Sequence, residues 1–275
     1  MSKSISGENA PSQFKYIGKP RGTIDAPEKL KGQARYTADL QLPGMLHLRP
    51  VLSPHAHARI VSIDKEAALA MPGVRAVLDA NDLTHWRKQA ASRVGALLAR
   101  AEVMFQGHPV VVVVGETPQA AWDGASAVDV DYEELDVVPD IATALQPGAP
   151  LVWPSGIPRD ESDVSGDHGA VKKGDSDLDS LPPNVHSMDS HKRGDVEEGF
   201  AAADVVLERE YRTGIVHQGY MEPQVCLASP DPMGIMTIYT STQGPRTVHN
   251  DVSRLLDLPH TQIKVVPMVI GGGFG

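Results

Sequence analysis

The chain has 275 residues, 41% hydrophobic and 22% charged, which is typical of a globular protein with one large or two ordinary domains. Its formal net charge of −10 argues against nucleic acid as a partner, because phosphate recognition needs a basic face. The single cysteine, Cys226, excludes an intrachain disulfide and a zinc or iron–sulfur site held by cysteines of this chain alone. The polar N-terminus carries no secretory signal and no apolar run is long enough to span a bilayer, so we expect a cytoplasmic protein without a membrane partner.

The first part of the chain alternates patterns of strands and helices. Residues 1–19 are polar, and we expect a flexible N-terminus. The patterns that follow predict strands over 45–52, 58–63, 74–79, 109–116 and 128–135, with helices at 65–73 and from 118 onwards. Residues 109–116 are apolar on both faces, which predicts a central strand, and Thr117 and Pro118 have the residue types that begin helices. These elements predict a compact α+β domain over 20–145.

The composition changes between residues 146 and 190, where proline, glycine, serine and aspartate dominate. This stretch can bury little apolar surface, so we expect a linker or long surface loop between two domains. The second domain, 191–275, should contain the following elements: a helix at 195–203 capped by Asp195, a strand at 204–214, two strands within 224–243, an amphipathic helix at 245–259 and a last strand at 262–270.

The last strand leads into five residues that could bind a ligand, Gly271 to Gly275 with Phe274 among them. They match neither the dinucleotide fingerprint nor the phosphate-binding loop of nucleoside triphosphatases. Glycines let backbone N–H groups approach anionic oxygens closely, but a glycine-rich hairpin or bulge would look the same. Gln243, between a strand and a helix, is either a ligand contact or an ordinary loop residue.

Other polar residues admit both a functional and a structural interpretation. Glu222 could be a base, a metal ligand or a structural carboxylate, and His217 lies five residues before it. His55 and His57 would face the same side of a strand as a metal pair, or simply form a polar junction between loop and strand. Cys226 lies in an apolar strand pattern, which favours a buried small residue over a nucleophile.

Read in order, the motifs resemble a known family. Residues 22–64 and 101–145 are similar to the start of the molybdenum-containing subunit of the xanthine dehydrogenase and aldehyde oxidase family. Residues 194–223, "TSTQGP" at 240–245 and "VIGGGFG" at 269–275 resemble the opening of its molybdopterin-binding region. The resemblance covers residues 18–275 and is weakest at 150–185. It implies a hammerhead-like α/β domain followed by the first part of a molybdopterin-binding α+β domain.

The resemblance also implies a molybdenum hydroxylase, which hydroxylates an aldehyde or an N-heterocycle with water as the oxygen source. In that family the metal is held by the pterin, so no protein side chain of this chain would ligate it. The implied cofactor-binding residues are Gln243, Gly272, Gly273, Phe274 and Gly275. A cytosine dinucleotide form of the pterin is one option that the resemblance suggests.

The same resemblance implies that much of the enzyme lies in other polypeptide. The family's catalytic glutamate follows the region matched here, so no catalytic residue is expected in this chain, and Glu222 does not match that glutamate. We therefore expect a split or truncated molybdenum subunit, inactive in isolation, whose partners are the remaining molybdenum-subunit chain, an iron–sulfur subunit, an FAD subunit and a small-molecule substrate. The alternatives are a non-catalytic remnant or assembly module of the same fold, and an unrelated anion-binding α/β protein.

Overall fold

The structure, a computed structural model, describes residues 15–83, 98–152, 182–185, 188 and 191–274. The helices among these residues are α1 (Ala26–Leu30), α2 (Glu66–Leu69), α3 (Pro118–Ser126), α4 (Ile141–Ala144), α5 (Val196–Ala201) and α6 (Pro245–Leu256), with 3-10 turns at Thr37–Asp39 and His260–Gln262. The strands are β1 (His47–Leu52), β2 (Ala58–Asp64), β3 (Val74–Asp79), β4 (Glu102–Val103), β5 (Pro109–Gly115), β6 (Asp129–Glu134), β7 (Cys226–Pro230), β8 (Met236–Thr240) and β9 (Ile263–Pro267). Across the described ranges, no helix has the length and hydropathy needed to cross a membrane.

The first sheet has the order β1-β5-β3, with antiparallel neighbours on both sides of β5. This confirms the prediction of a central strand, and Val110, Val111 and Val113 of β5 are completely buried. Helix α3 packs against this sheet, and a Cβ added to Gly115 would lie 2.4 Å from the backbone nitrogen of Ala121. The predicted cap is also confirmed, because the hydroxyl of Thr117 accepts a hydrogen bond from the first turn of α3.

The second sheet, β4-β2-β6, is also antiparallel and shares one hydrophobic core with the first sheet. Ala58 of β2 and Val103 of β4 are completely buried against the valines of β5. Lys65, just before α2, lies 2.7 Å from the carboxylates of both Asp79 and Asp82, which ties the start of that helix to the end of β3.

The third sheet, β7-β8-β9, combines an antiparallel pair with a parallel pair. Helix α6 connects the parallel strands β8 and β9, so this segment is a β-α-β unit. The helix starts at Pro245 and ends at Leu256, before the left-handed Asp257 (φ 51°), so it is shorter than the predicted 245–259. Of the apolar residues in this helix, Val248, Val252 and Leu255 are half-buried, but Leu256 is exposed.

Residues 204–214 are not a strand, contrary to the prediction. They form no sheet pairing among the described residues, and the segment is exposed throughout. Alternating side chains favour an extended backbone, but a strand also needs a neighbour to accept and donate its hydrogen bonds. Residues 1–14 of the predicted flexible N-terminus, and most of the predicted linker 146–190, lie outside the described residues.

Candidate functional site

The carboxyl ends of β8 and β9 bring together two segments that the sequence places 30 residues apart. Because the two strands are parallel neighbours, the loops that follow them meet at the same edge of the sheet. Gln243 lies in the loop after β8, and the residues from Gly271 to Phe274, here called the glycine loop, follow β9. The side-chain amide of Gln243 donates a hydrogen bond to the carbonyl oxygen of Gly273 over 3.3 Å.

A side chain at each of the first two glycines of the loop would clash with a different neighbour. A Cβ on Gly271 would lie 2.5 Å from the Cβ of Glu222. Gly272 has a φ of +134°, and a Cβ there would lie 2.4 Å from the ring of Phe274. Phe274 itself adopts a left-handed φ of 51°, which folds its ring back over the loop. The loop is therefore compact, and its shape depends on glycine at these positions.

The backbone amides of this loop are not equivalent. The N–H of Gly271, which is not among the implied cofactor-binding residues, donates to the carboxylate of Glu222. The amides of Gly272 and Gly273 donate to no acceptor among the described residues. Gly272, Gly273 and Gln243 are all exposed residues, so these two amides and the carboxamide of Gln243 are candidate hydrogen-bonding groups for a ligand. Gly275 lies outside the described residues.

Glu222 is held by hydrogen bonds to protein groups, as in the structural interpretation of this residue. Its Oε1 accepts from the hydroxyl of Ser241, and its Oε2 accepts from the amide of Gly271. The hydroxyl of Ser241 lies 3.1 Å from that of Thr37, a buried residue of the first 3-10 turn. The sequence offered no sign of this chain of contacts, because its members lie in three distant segments.

An open cleft of about 450 Å³ lies beside these groups. Its lining includes Tyr220, Glu222, Cys226, Gln243 and the first two residues of the glycine loop. Cys226 is exposed at the start of β7, so the prediction that it is buried is wrong. The next residue of β7, Leu227, is buried, so Cys226 lies on the opposite, exposed face of this strand.

None of the three histidine candidates lines this cleft, although His217 contacts one residue that does. His55 and His57 precede β2 in a bend, with His55 Nδ1 3.3 Å from Glu134 and His57 Nδ1 2.6 Å from the carbonyl oxygen of Asp136. His217 is exposed and stacks against Tyr220, with 5.0 Å between ring centroids. Over the part of the chain that the structure describes, no group of three or more histidine, cysteine, aspartate or glutamate side chains could hold a metal ion.

Comparison with known families gives the class of protein that this fold and site define. The model described as the a/b hammerhead domain of aldehyde oxidase and xanthine dehydrogenase matches residues 31–136. The model of the molybdopterin cofactor-binding domain matches residues 178–275 and so includes both Gln243 and the glycine loop. The chain belongs to the xanthine dehydrogenase and aldehyde oxidase family, and it corresponds to the N-terminal part of the large, molybdenum-binding subunits.

Individual relatives agree with this assignment. The carbon monoxide dehydrogenase large chain of Hydrogenophaga pseudoflava is 36% identical over 90% of this chain and 30% of its own length. The nicotinate dehydrogenase large molybdopterin subunit of Eubacterium barkeri is 28% identical over 95% of this chain and 56% of its own length. The crystal structure of a Cu,Mo-CO dehydrogenase superposes with a TM-score of 0.77 at 34% identity, over 94% of this chain and 32% of that one. The chain thus spans about a third of the carbon monoxide dehydrogenase chains that it matches.

Proposed function

We propose that this chain forms one wall of the molybdenum cofactor pocket in an oxidoreductase complex. The observation that carries the proposal is the hydrogen bond from Gln243 to the carbonyl oxygen of Gly273, which places Gln243 beside the glycine loop inside the region that matches a molybdopterin cofactor-binding domain. The amides of Gly272 and Gly273 in this loop have no acceptor among the described residues. In domain terms, residues 20–145 would be the hammerhead domain, residues 146–190 a linker and residues 191–275 the start of the cofactor domain.

The hydrogen-bonding groups of this site suit a molybdenum cofactor with anionic oxygens. Backbone N–H groups in a glycine loop bind oxyanions well, because no Cβ blocks the approach and the amide dipoles point outwards. A carboxamide such as that of Gln243 both donates and accepts, so it can orient an oxygen ligand without adding charge. In this proposal Gln243, Gly272, Gly273 and Phe274, with Gly275 by resemblance, would hold the cofactor, which when bound supplies the electron-accepting metal centre for oxidation of the substrate.

The reaction proposed for the complex is hydroxylation of an aldehyde or an N-heterocycle with oxygen from water. The relatives act, by their names, on carbon monoxide, nicotinate and xanthine, so similarity over this region does not distinguish between substrates. No side chain described here is assigned as the catalytic base, and Glu222 is already engaged with Ser241 and Gly271. We place the complex in the cytoplasm, which a chain with one cysteine and no intrachain disulfide supports.

The test is to purify the complex that contains this chain and to measure its cofactors. We expect about one molybdenum and one pterin per chain, with a cytosine nucleotide released on acid hydrolysis, and iron–sulfur clusters and FAD on accompanying subunits. The same preparation should oxidise an aldehyde or an N-heterocycle when an artificial electron acceptor is supplied. A stable complex of this chain that lacks both molybdenum and pterin would contradict the proposal.

The partner polypeptide is expected to cover a specific exposed segment, residues 204–216. Val205 is 73% exposed, Leu207 74% and Tyr211 88%, although these are apolar side chains. The three share one face of an extended chain, since they lie at even spacings, and the backbone of residues 204–216 forms no backbone–backbone hydrogen bond among the described residues. An exposed segment with several apolar side chains and no backbone pairing among the described residues is suited to pairing with a strand of another polypeptide.

This partner is proposed to be the remaining part of the molybdenum subunit, because the carbon monoxide dehydrogenase relatives are about three times as long as the region they share with this chain. Leu207→Asp should prevent this chain from co-purifying with that polypeptide when the two are co-expressed. Glu208→Ala, on the opposite face of the same segment, is the matched control and should leave co-purification unchanged. Equal recovery of the complex with both variants would rule out pairing through this face.

A further inference from the structure

Both ends of the glycine loop contact one short segment, Tyr220 to Glu222. At the first end, the amide of Gly271 donates to Oε2 of Glu222. At the other end, the ring of Phe274 lies against that of Tyr220, with 6.3 Å between centroids and an angle of 48° between planes. The amides of Gly272 and Gly273, which have no acceptor among the described residues, lie between these contacts, so the orientation of those amides depends on where this segment is held.

Glu222 is in turn fixed from the opposite side. Its second oxygen accepts from the hydroxyl of Ser241, which immediately follows β8. Ser241 contacts Thr37, whose exposed fraction is only 3% and which belongs to the region that matches the hammerhead domain. The three contacts connect a buried hydroxyl of the first domain to the first amide of the loop. A carboxylate suits the middle position, because it can accept hydrogen bonds from both sides at once.

We propose that Glu222 is a positioning residue for the glycine loop. By anchoring the amide of Gly271, it sets the conformation of the loop and with it the orientation of the next two amides, those of Gly272 and Gly273. Both of its carboxylate oxygens accept hydrogen bonds from protein groups, so we assign it a role that acts through the loop. The part of this inference that concerns the cofactor rests on the proposed function, whereas the part that concerns the loop conformation does not.

The test compares three variants of the chain, each purified with the subunits that accompany it. Glu222→Ala removes both acceptors. Glu222→Gln keeps two hydrogen bonds, because its oxygen can accept from Gly271 while its NH₂ group donates to Ser241, whose hydroxyl accepts as well as donates. Asp131→Ala is the matched control, since Asp131 also accepts a serine hydroxyl, that of Ser62 over 2.8 Å, but lies in the second sheet.

The first measurement is backbone hydrogen exchange of residues 268–274, followed by mass spectrometry. We expect Glu222→Ala to accelerate exchange there about tenfold, because a hydrogen bond to a charged acceptor is lost. Glu222→Gln should stay within about threefold of the unsubstituted chain, and Asp131→Ala should not change the loop, while exchange in the first sheet should be the same in all three. Unchanged loop exchange in Glu222→Ala, or equal acceleration by Glu222→Gln, would overturn the inference.

The second measurement is the molybdenum content of the same preparations. Lower occupancy in Glu222→Ala than in Glu222→Gln supports the connection between loop position and cofactor, and equal occupancy overturns that connection. If the unsubstituted complex holds no molybdenum, the proposed function fails by itself, and the exchange experiment still decides whether Glu222 positions the loop.

Discussion

Replacing Gly271 by alanine should displace the glycine loop, and the structure gives the size of the effect. The added Cβ would lie 2.5 Å from the Cβ of Glu222 and 2.8 Å from its Oε2. The Cβ of Glu222 is attached directly to its backbone, so a change of rotamer does not relieve the closer contact. The loop must either retain the strain, at about 1–3 kcal/mol for overpacking, or move and give up the hydrogen bond from Gly271 to Glu222, at about 1.5–3 kcal/mol.

A cost of about 2 kcal/mol corresponds to roughly a thirtyfold loss of affinity for a cofactor that needs the undisplaced loop. The assay is the molybdenum and pterin content of the purified complex after dilution, with hydrogen exchange of residues 268–274 measured in parallel. Gly22→Ala is the control, because a Cβ at Gly22 would have no atom within 4 Å. Full cofactor content together with unchanged loop exchange in Gly271→Ala would refute the reasoning.

Three further changes test the site and the first domain. Gln243→Glu would set a carboxylate against the carbonyl oxygen of Gly273, now 3.3 Å from the amide nitrogen, and should lower the molybdenum content of the complex. The hydrogen bond from Lys65 lowers the pKa of Asp82 in the folded protein. The stability that the Asp82 carboxylate contributes is therefore present above its unfolded-state pKa of about 3.9 and is lost as the pH falls through the folded-state pKa. Asp82→Asn should therefore reduce stability at pH 7 but less at pH 2, as measured by urea denaturation. Thr117→Ala should cost about 1 kcal/mol in the same assay, because it removes the cap of α3.

The first domain could be predicted well because its signals are local. The valine run of β5 predicted a central strand, and Thr117 with Pro118 predicted the start of α3. Residues 204–214 show the limit of the same reasoning, since side-chain alternation describes one strand and says nothing about its neighbour. The prediction that Cys226 is buried failed for a related reason: in a run of apolar residues the sequence does not show which face of the strand is covered, and here Leu227 is buried while Cys226 is exposed.

The site residues remain a prediction, and the sequence indicated only part of their arrangement. Gln243 and the glycine loop follow two predicted strands with a helix between them, a connection that allows the strands to pair in parallel, as β8 and β9 do. The hydrogen bond from Gly271 to Glu222 joins residues 49 positions apart, so it depends on where the fold places the segment before β7. No local sequence pattern encodes that placement, and the contacts of Glu222 became visible only in three dimensions.

The contact between Thr37 and Ser241 joins residues separated by 204 positions and bridges the regions that match two different family models. Exchanging either region alone for that of a relative would therefore also change this contact. A chimera that takes its first 136 residues from a relative with an aliphatic side chain at the place of Thr37 would leave the hydroxyl of Ser241 without that neighbour. Recombination of such subunits to alter substrate range should therefore keep Thr37 and Ser241 together, because their hydroxyls form a contact between the two regions.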